Sequence, residues 1–193
     1  MISAASFLRL LFPFGALLIL AGCSSRIEPV ATLAPGVSIP LPPPHCEQPF
    51  QRDQLLAATV DGFTHQLQTA LDVADGQITL VGLSPVGARL FKVVYSAEEI
   101  SAEQLIPLAD LPPPNQVLAD IMLGYWPLQA WQPLLPKGWS LRDDTPALRT
   151  LRDAEENVVE EIFYLRQSGQ RDPVRIKHHR FHYEIFLQNL DDA

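Results

Sequence analysis

One stretch constrains the fold of this chain more than any other. From residue 63 to 73 the side chains alternate. Phe63, His65, Leu67, Thr69, Leu71 and Val73 fall on one face, with Gln66, Gln68 and Asp72 opposite. A period of two belongs to a half-buried strand. Asp61-Gly62 precedes the run and Asp75-Gly76 follows it, and Asp-Gly between alternating runs marks a two-residue hairpin turn. A strand with a hairpin at each end has a partner on each side, so the chain builds an antiparallel sheet.

Residues 55–60, 63–72, 77–83 and 89–96 read as four strands, the last two joined by Ser84-Pro85-Val86-Gly87. The middle of the chain differs. Leu111-Pro112-Pro113-Pro114 opens a helix, since proline fits a first turn. Val117, Leu118, Ile121, Met122 and Tyr125 recur at helical spacing, until Gly124 and Pro127 end the run. Residues 127–135 read as a second short helix with Leu128, Trp131, Leu134 and Leu135 on one side, closed by Pro136-Lys137-Gly138. Four more strands follow at 139–142, 148–153, 158–166 and 175–190. In the last, Phe181, Tyr183, Ile185 and Leu187 face one way, and His178, Arg180, His182 and Glu184 the other. A long meander twists and must manage its edges. The expectation is a mainly β (α+β) fold, an antiparallel half-open β-barrel of about eight or more strands with a mid-chain helical lid. A closed up-and-down barrel with the helices outside is the alternative.

The amino-terminal stretch predicts where the protein lives. Residues 10–20 are almost wholly apolar and follow Arg9. As a helix they span about 16 Å at ~1.5 Å per residue, too short for a bilayer core of ~30 Å. They suit the apolar region of a cleaved signal, so residues 1–22 are set apart from the fold. Leu20-Ala21-Gly22-Cys23 resembles the bacterial lipobox, which implies cleavage before Cys23 and acylation of its thiol and new amine. Stable anchoring needs more than one acyl chain, and a triacylated Cys23 supplies them. By the sorting rule of such lipoproteins, Ser24 implies export to the outer membrane, with the protein on its periplasmic face. Residues 23–49 then read as an acylated terminus and a tether. Seven prolines between residues 27 and 49 favour extended polyproline-II geometry. Residues 50–193 are the folded domain.

Charge excludes one class of partner. Removing Arg9 from the 14 basic residues leaves 13 against 22 acidic ones, a net charge of −9. Nucleic-acid binding needs Lys and Arg on phosphates, so none is expected. Membrane contact must come from acyl chains and apolar loops. Cys46 is left single in an oxidising compartment, either paired with another chain or a tolerated free thiol. No Cys-x-x-Cys and no Gly-x-Ser-x-Gly is present. No catalytic residue, cofactor or metal is expected. His65, on a strand face, is read as an interior histidine before a catalytic base. Adjacent carboxylates such as Glu160-Glu161 point to opposite faces of a strand, so their spacing makes no acid/base pair. His178 and His182 are ~13 Å apart along a strand at ~3.3 Å per residue, too far to share one zinc ion with ~2 Å bonds.

The stretch LADIMLGYWPLQAWQPLLPKGW, with Asp120 and Trp126-Pro127, resembles the mid-chain signature of uncharacterised bacterial lipoproteins encoded in aryl-polyene biosynthesis clusters. LVGLSPVGARLFKVVY and HYEIFLQNL resemble that family's hairpin and final strand, so the resemblance spans roughly residues 50–190. In element order and lipidation the chain is also similar to LolA and LolB, half-barrels with a helical lid over an apolar cavity for acyl chains.

These resemblances imply a non-enzymatic lipoprotein that binds or transfers a hydrophobic molecule, a lipid or a lipid-linked polyene. The expected cavity lining is Leu67, Leu71, Phe91, Val93, Ile121, Trp126, Trp131, Phe181 and Tyr183. A filled core has the same composition as an open cavity, and then the protein docks on an envelope transport complex. Leu83 and Val86 occupy the place of a membrane-contact loop. Arg166, Arg171, Arg175, Lys177 and Arg180 cluster in an acidic chain and suit a headgroup or an acidic partner.

Overall fold

The computed structural model describes residues 25–45, 48–97, 99–105, 112–167 and 170–190. The signal segment, Cys23 and Cys46 lie outside the described residues.

Two five-strand meanders make one antiparallel sheet. The first is β4 (Phe50–Val60), β5 (Phe63–Ala74), β6 (Gln77–Leu83), β7 (Arg89–Ser96) and β8 (Ile100–Gln104). The second is β9 (Ser140–Thr145), β10 (Leu148–Arg152), β11 (Val158–Gln167), β12 (Gln170–His178) and β13 (Tyr183–Asn189). The first strand of one meander pairs with the last of the other, Leu56 opposite Leu187. The sheet order is β1-β8-β7-β6-β5-β4-β13-β12-β11-β10-β9, where β1 is Ser25–Ile27. The ends β1 and β9 do not pair with each other, so the sheet is half-open and the closed-barrel alternative fails.

The turns follow the sequence. Asp61 and Gly62 both have positive φ (48° and 84°), as do Asp75 and Gly76 (51° and 72°). Two successive left-handed residues match the twist of the flanking strands, which is why Asp-Gly serves there. Leu67, Thr69, Leu71 and Val73 are buried as the alternation requires. Phe63, two places beyond on that face, is 70% exposed at the sheet's end.

The expected final strand is instead a hairpin. β12 ends at His178 and β13 begins at Tyr183, with His182 at φ 56° in the turn between them. The alternation runs through the turn unbroken, and no Gly, Asn or Pro marks it. His178 consequently faces the interior, next to Tyr183, rather than outward.

Helix α1 (Pro114–Tyr125) fills the concave face. Prolines open it, and every residue from Gln116 to Gly124 is buried. A helix buried all round is a core element. It packs on β7, β8 and β12, and its other side is covered by a hairpin of β2 (Val30–Ala34) and β3 (Val37–Pro40). Residues 25–45 are therefore no extended tether. Ala31, Leu33, Ile39 and Leu41 are in the core. Tyr95 donates its hydroxyl to the Pro42 carbonyl (2.9 Å), and Trp126 Nε1 donates to that of Pro43 (3.1 Å). The helix is thus a plug under a strap rather than a free lid. A short helix α2 (Leu128–Trp131) and a 3₁₀ turn (Gln132–Leu134) follow, anchored by fully buried Trp131.

The carboxyl end of α1 is closed by side chains from the second meander. Arg149 Nη1 donates to the carbonyls of Leu123 (2.6 Å) and Trp126 (2.8 Å), and the Tyr164 hydroxyl to that of Gly124 (2.8 Å). These carbonyls have no partner within the helix, and a cation suits that end of its dipole.

Candidate functional site: a cleft at the head of the plug helix

The interior expected as a cavity is filled. Leu67, Leu71, Phe91, Val93, Ile121, Trp126, Trp131 and Tyr183 belong to one packed cluster, with Phe181 against its edge. The space beside Leu67 and Phe91 is only ≈20 Å³, about one water. Large residues on both the sheet and α1 meet there.

Open space lies at the two ends of α1 instead. At its amino end is a cleft of ≈510 Å³. Pro112, Pro113, Asn115 and Gln116 come from the helix start, Val60, Asp61 and Phe63 from the β4–β5 turn, Phe181 and Tyr183 from the β12–β13 turn, and Thr32 from the strap. The walls are mainly apolar. Of the nine residues expected to line a cavity, Phe181 and Tyr183 line this cleft. Trp126 lines a second cleft of ≈590 Å³ at the other end of the helix, with His45, Phe50, Tyr125, Arg149, Tyr164 and Arg171.

Behind the first cleft lies a buried polar cluster. Val60, Tyr183, His178 and Glu160 stand in register across β4, β13, β12 and β11. This ladder leads from the cleft wall into the core. Asp120 of α1 meets it. Its Oδ2 accepts from the Tyr183 hydroxyl (2.5 Å) and its Oδ1 from Gln116 Nε2 (2.7 Å). Asp120 is 0% exposed and Glu160 1%. Neither oxygen of Glu160 has a hydrogen-bond partner, nor does His178 Nε2.

Burial dominates the proton affinities. It pushes Asp120 up to about 7, against the hydrogen bonds from Tyr183 and Gln116. It raises Glu160 well above the ordinary carboxyl range, and the nearby Asp120 charge adds to this. His178 is pulled down to about 4 by burial, then by the charges of His179 and His182. Its Nδ1 accepts from the Phe181 amide (3.3 Å), which leaves the neutral ring's proton on Nε2.

Residues 51–191 match the family described as "Protein of unknown function (DUF3261)". The chain belongs to that family. A search of curated proteins found no match.

In this DUF3261 chain the match covers both meanders and α1, hence the polar floor and every described cleft residue except Thr32, but not the strap. The basic residues expected to act together fall into separate groups. Arg171 ion-pairs with Asp143 (2.9 Å) and lies 3.7 Å over the Tyr164 ring. Arg175 pairs with Glu184 (3.4 Å) above Phe163. Lys177 stands in register between Glu161 and Glu184 on the outer face. Arg180 is bonded to Asp153, and Arg166 is exposed on β11. A β-bulge at Phe163–Tyr164 parts Arg166 and Arg171, which stand opposite each other, from Arg175 and Lys177.

Val86 is 90% exposed at the tip of the β6–β7 turn, while Leu83 is half-buried on β6. The three histidines line one pocket but have separate surroundings. His178 faces inward, His179 meets Glu161 at 2.7 Å, and His182 is exposed in the turn. Among the described residues no group of His, Cys, Asp and Glu is placed to hold a metal. Sequence reasoning missed the polar floor. Glu160 and Glu161 do point oppositely, but that argument says nothing of Asp120, 40 positions earlier on another element.

Proposed function

We propose that this protein is an outer-membrane-anchored lipoprotein, acylated at Cys23, that binds a hydrophobic molecule in the cleft at the head of α1. The observation that carries this is the cleft itself. It has apolar walls and a polar floor, and its ≈510 Å³ falls within the range of small-molecule sites, about 300–1,000 Å³. Exposed Phe63 and Val86 sit at the same end of the sheet, where a cargo from a membrane would arrive. The cargo contemplated is a lipid or a lipid-linked aryl polyene, and the half-open sheet around a helix supports a LolB-like reading of the fold. No catalytic residue is assigned.

The test is mass spectrometry of the full chain purified from a Gram-negative host. A co-purifying apolar molecule, lost on Phe181→Asp while the fold is kept, supports the reading. Absence of any such molecule, with a fluorescent fatty-acid analogue also failing to bind, refutes it. The second reading, a protein that docks on an envelope transport complex, draws on the filled interior and would then take precedence. Anchoring is tested separately. Cys23→Ser is expected to move the protein out of the outer-membrane fraction.

A further inference from the structure

The two clefts differ in charge. The one at the carboxyl end of α1 is lined by Arg149 and Arg171. The one at the amino end has no Lys or Arg among its lining residues, and Asp61 stands on its rim. Behind its Gln116 and Tyr183 walls are the carboxyls of Asp120 and Glu160, both buried. Asp120 is held only by neutral donors, and Glu160 by none.

Among the described residues the surroundings of these two carboxyls offer no cation. Among the elements packed against α1, β12 presents His178 to the cluster and β7 and β8 present Phe91, Val93, Tyr95, Ile100 and Ala102. β11 and β13 add Glu160 and Tyr183, and the strap adds Ala31 and Leu33. A buried acid without a paired charge costs stability, and such a cost is offset when a ligand brings the missing group.

We propose that the cleft selects an amphiphile whose apolar body ends in a primary amine, seated on Gln116 and Tyr183 one hydrogen bond in front of Asp120. This rests on the reading that the cleft binds an apolar molecule and deepens it by naming the head group. The ammonium supplies three donors to a site rich in acceptors, and the Asp120 carboxylate supplies the counter-charge. An anionic head meets like charge and unpaired acceptors, which rejects it.

The test uses the full chain in phosphatidylcholine nanodiscs, with empty nanodiscs subtracted. Calorimetric titration compares decylamine, decanol and decanoate at pH 7.5. The expected result is decylamine binding at least tenfold tighter than decanoate. Its affinity should rise between pH 5.5 and 8, because Asp120 ionises while the amine stays charged. Asp120→Asn should weaken decylamine tenfold and leave decanol within twofold. Tyr183→Phe should move the rise in decylamine affinity to higher pH, since the Tyr183 bond lowers the proton affinity of Asp120, and serves if the first variant does not fold. Equal affinity for the three chains, or a flat pH profile, overturns the head-group inference and leaves the cleft reading standing. Tighter binding of decanoate overturns it too. If none of the three binds, both fall.

Discussion

The hydroxyl of Tyr183 on β13 donates to Asp120 on α1 across 2.5 Å, tying the plug helix to the middle of the sheet. Both residues are buried. Removing the donor strands a buried acceptor, which costs about 1–3 kcal/mol. Tyr183→Phe should therefore lower the unfolding free energy by that much, read as a lower urea midpoint at an unchanged m-value. It should also raise the proton affinity of Asp120 further, since this bond lowers it. Carboxyl NMR of the two proteins reads the second effect.

Stability should depend on pH through two opposed groups. Asp120 is raised to about 7 in the fold, from ~3.9 in an unfolded chain. The folded state binds its proton more tightly, so its contribution is full below pH ~4 and is lost as pH rises towards 7. His178 is lowered to about 4, from ~6.5 unfolded. Its contribution is full above pH ~6.5 and is lost as pH falls towards 4. Asp120→Asn should gain stability relative to the parent as pH rises from 4 to 7, by up to about 1.4 kcal/mol per pH unit. His178→Gln should gain as pH falls. Urea unfolding at four pH values between 4.5 and 7.5 checks both signs, and parallel curves for parent and variants would refute them.

Gly82 faces Phe91 across β6 and β7, and a Cβ there would lie 2.3 Å from the ring. The ring is buried. Gly82→Ala should cost about 1–3 kcal/mol by overpacking. Phe91→Leu in the same chain should recover part of that loss, which a double-mutant cycle measures.

Leu33 distinguishes a strap from a tether. It is 1% exposed, on the strap that covers α1. Leu33→Ala should cost about 2–5 kcal/mol, as for other buried leucines. A variant as stable as the parent in urea would restore the tether.

The strands of the first meander are readable because each carries its own evidence. Leu67, Thr69, Leu71 and Val73 alternate, and Asp61-Gly62 and Asp75-Gly76 state the turns. The β2–β3 hairpin had a signal too, Pro35-Gly36 between short alternating runs. Seven prolines in the same segment pointed the other way. Proline forbids a central strand but suits this two-stranded hairpin beside the main sheet. The turn at residues 179–182 had no signal, because a histidine takes the left-handed conformation where glycine or asparagine is usual.

The sequence by itself determined the antiparallel strands, the inward face of most of them and the mid-chain helix, since these depend on spacing between near neighbours. Only the tertiary structure decided that β4 meets β13, that the helix fills the half-barrel beneath a strap, and that Asp120, Glu160, His178 and Tyr183 share one buried site. Those four residues come from four elements. No local period relates them, and burial, which gives them their chemistry, exists only once the sheet has curled around the helix.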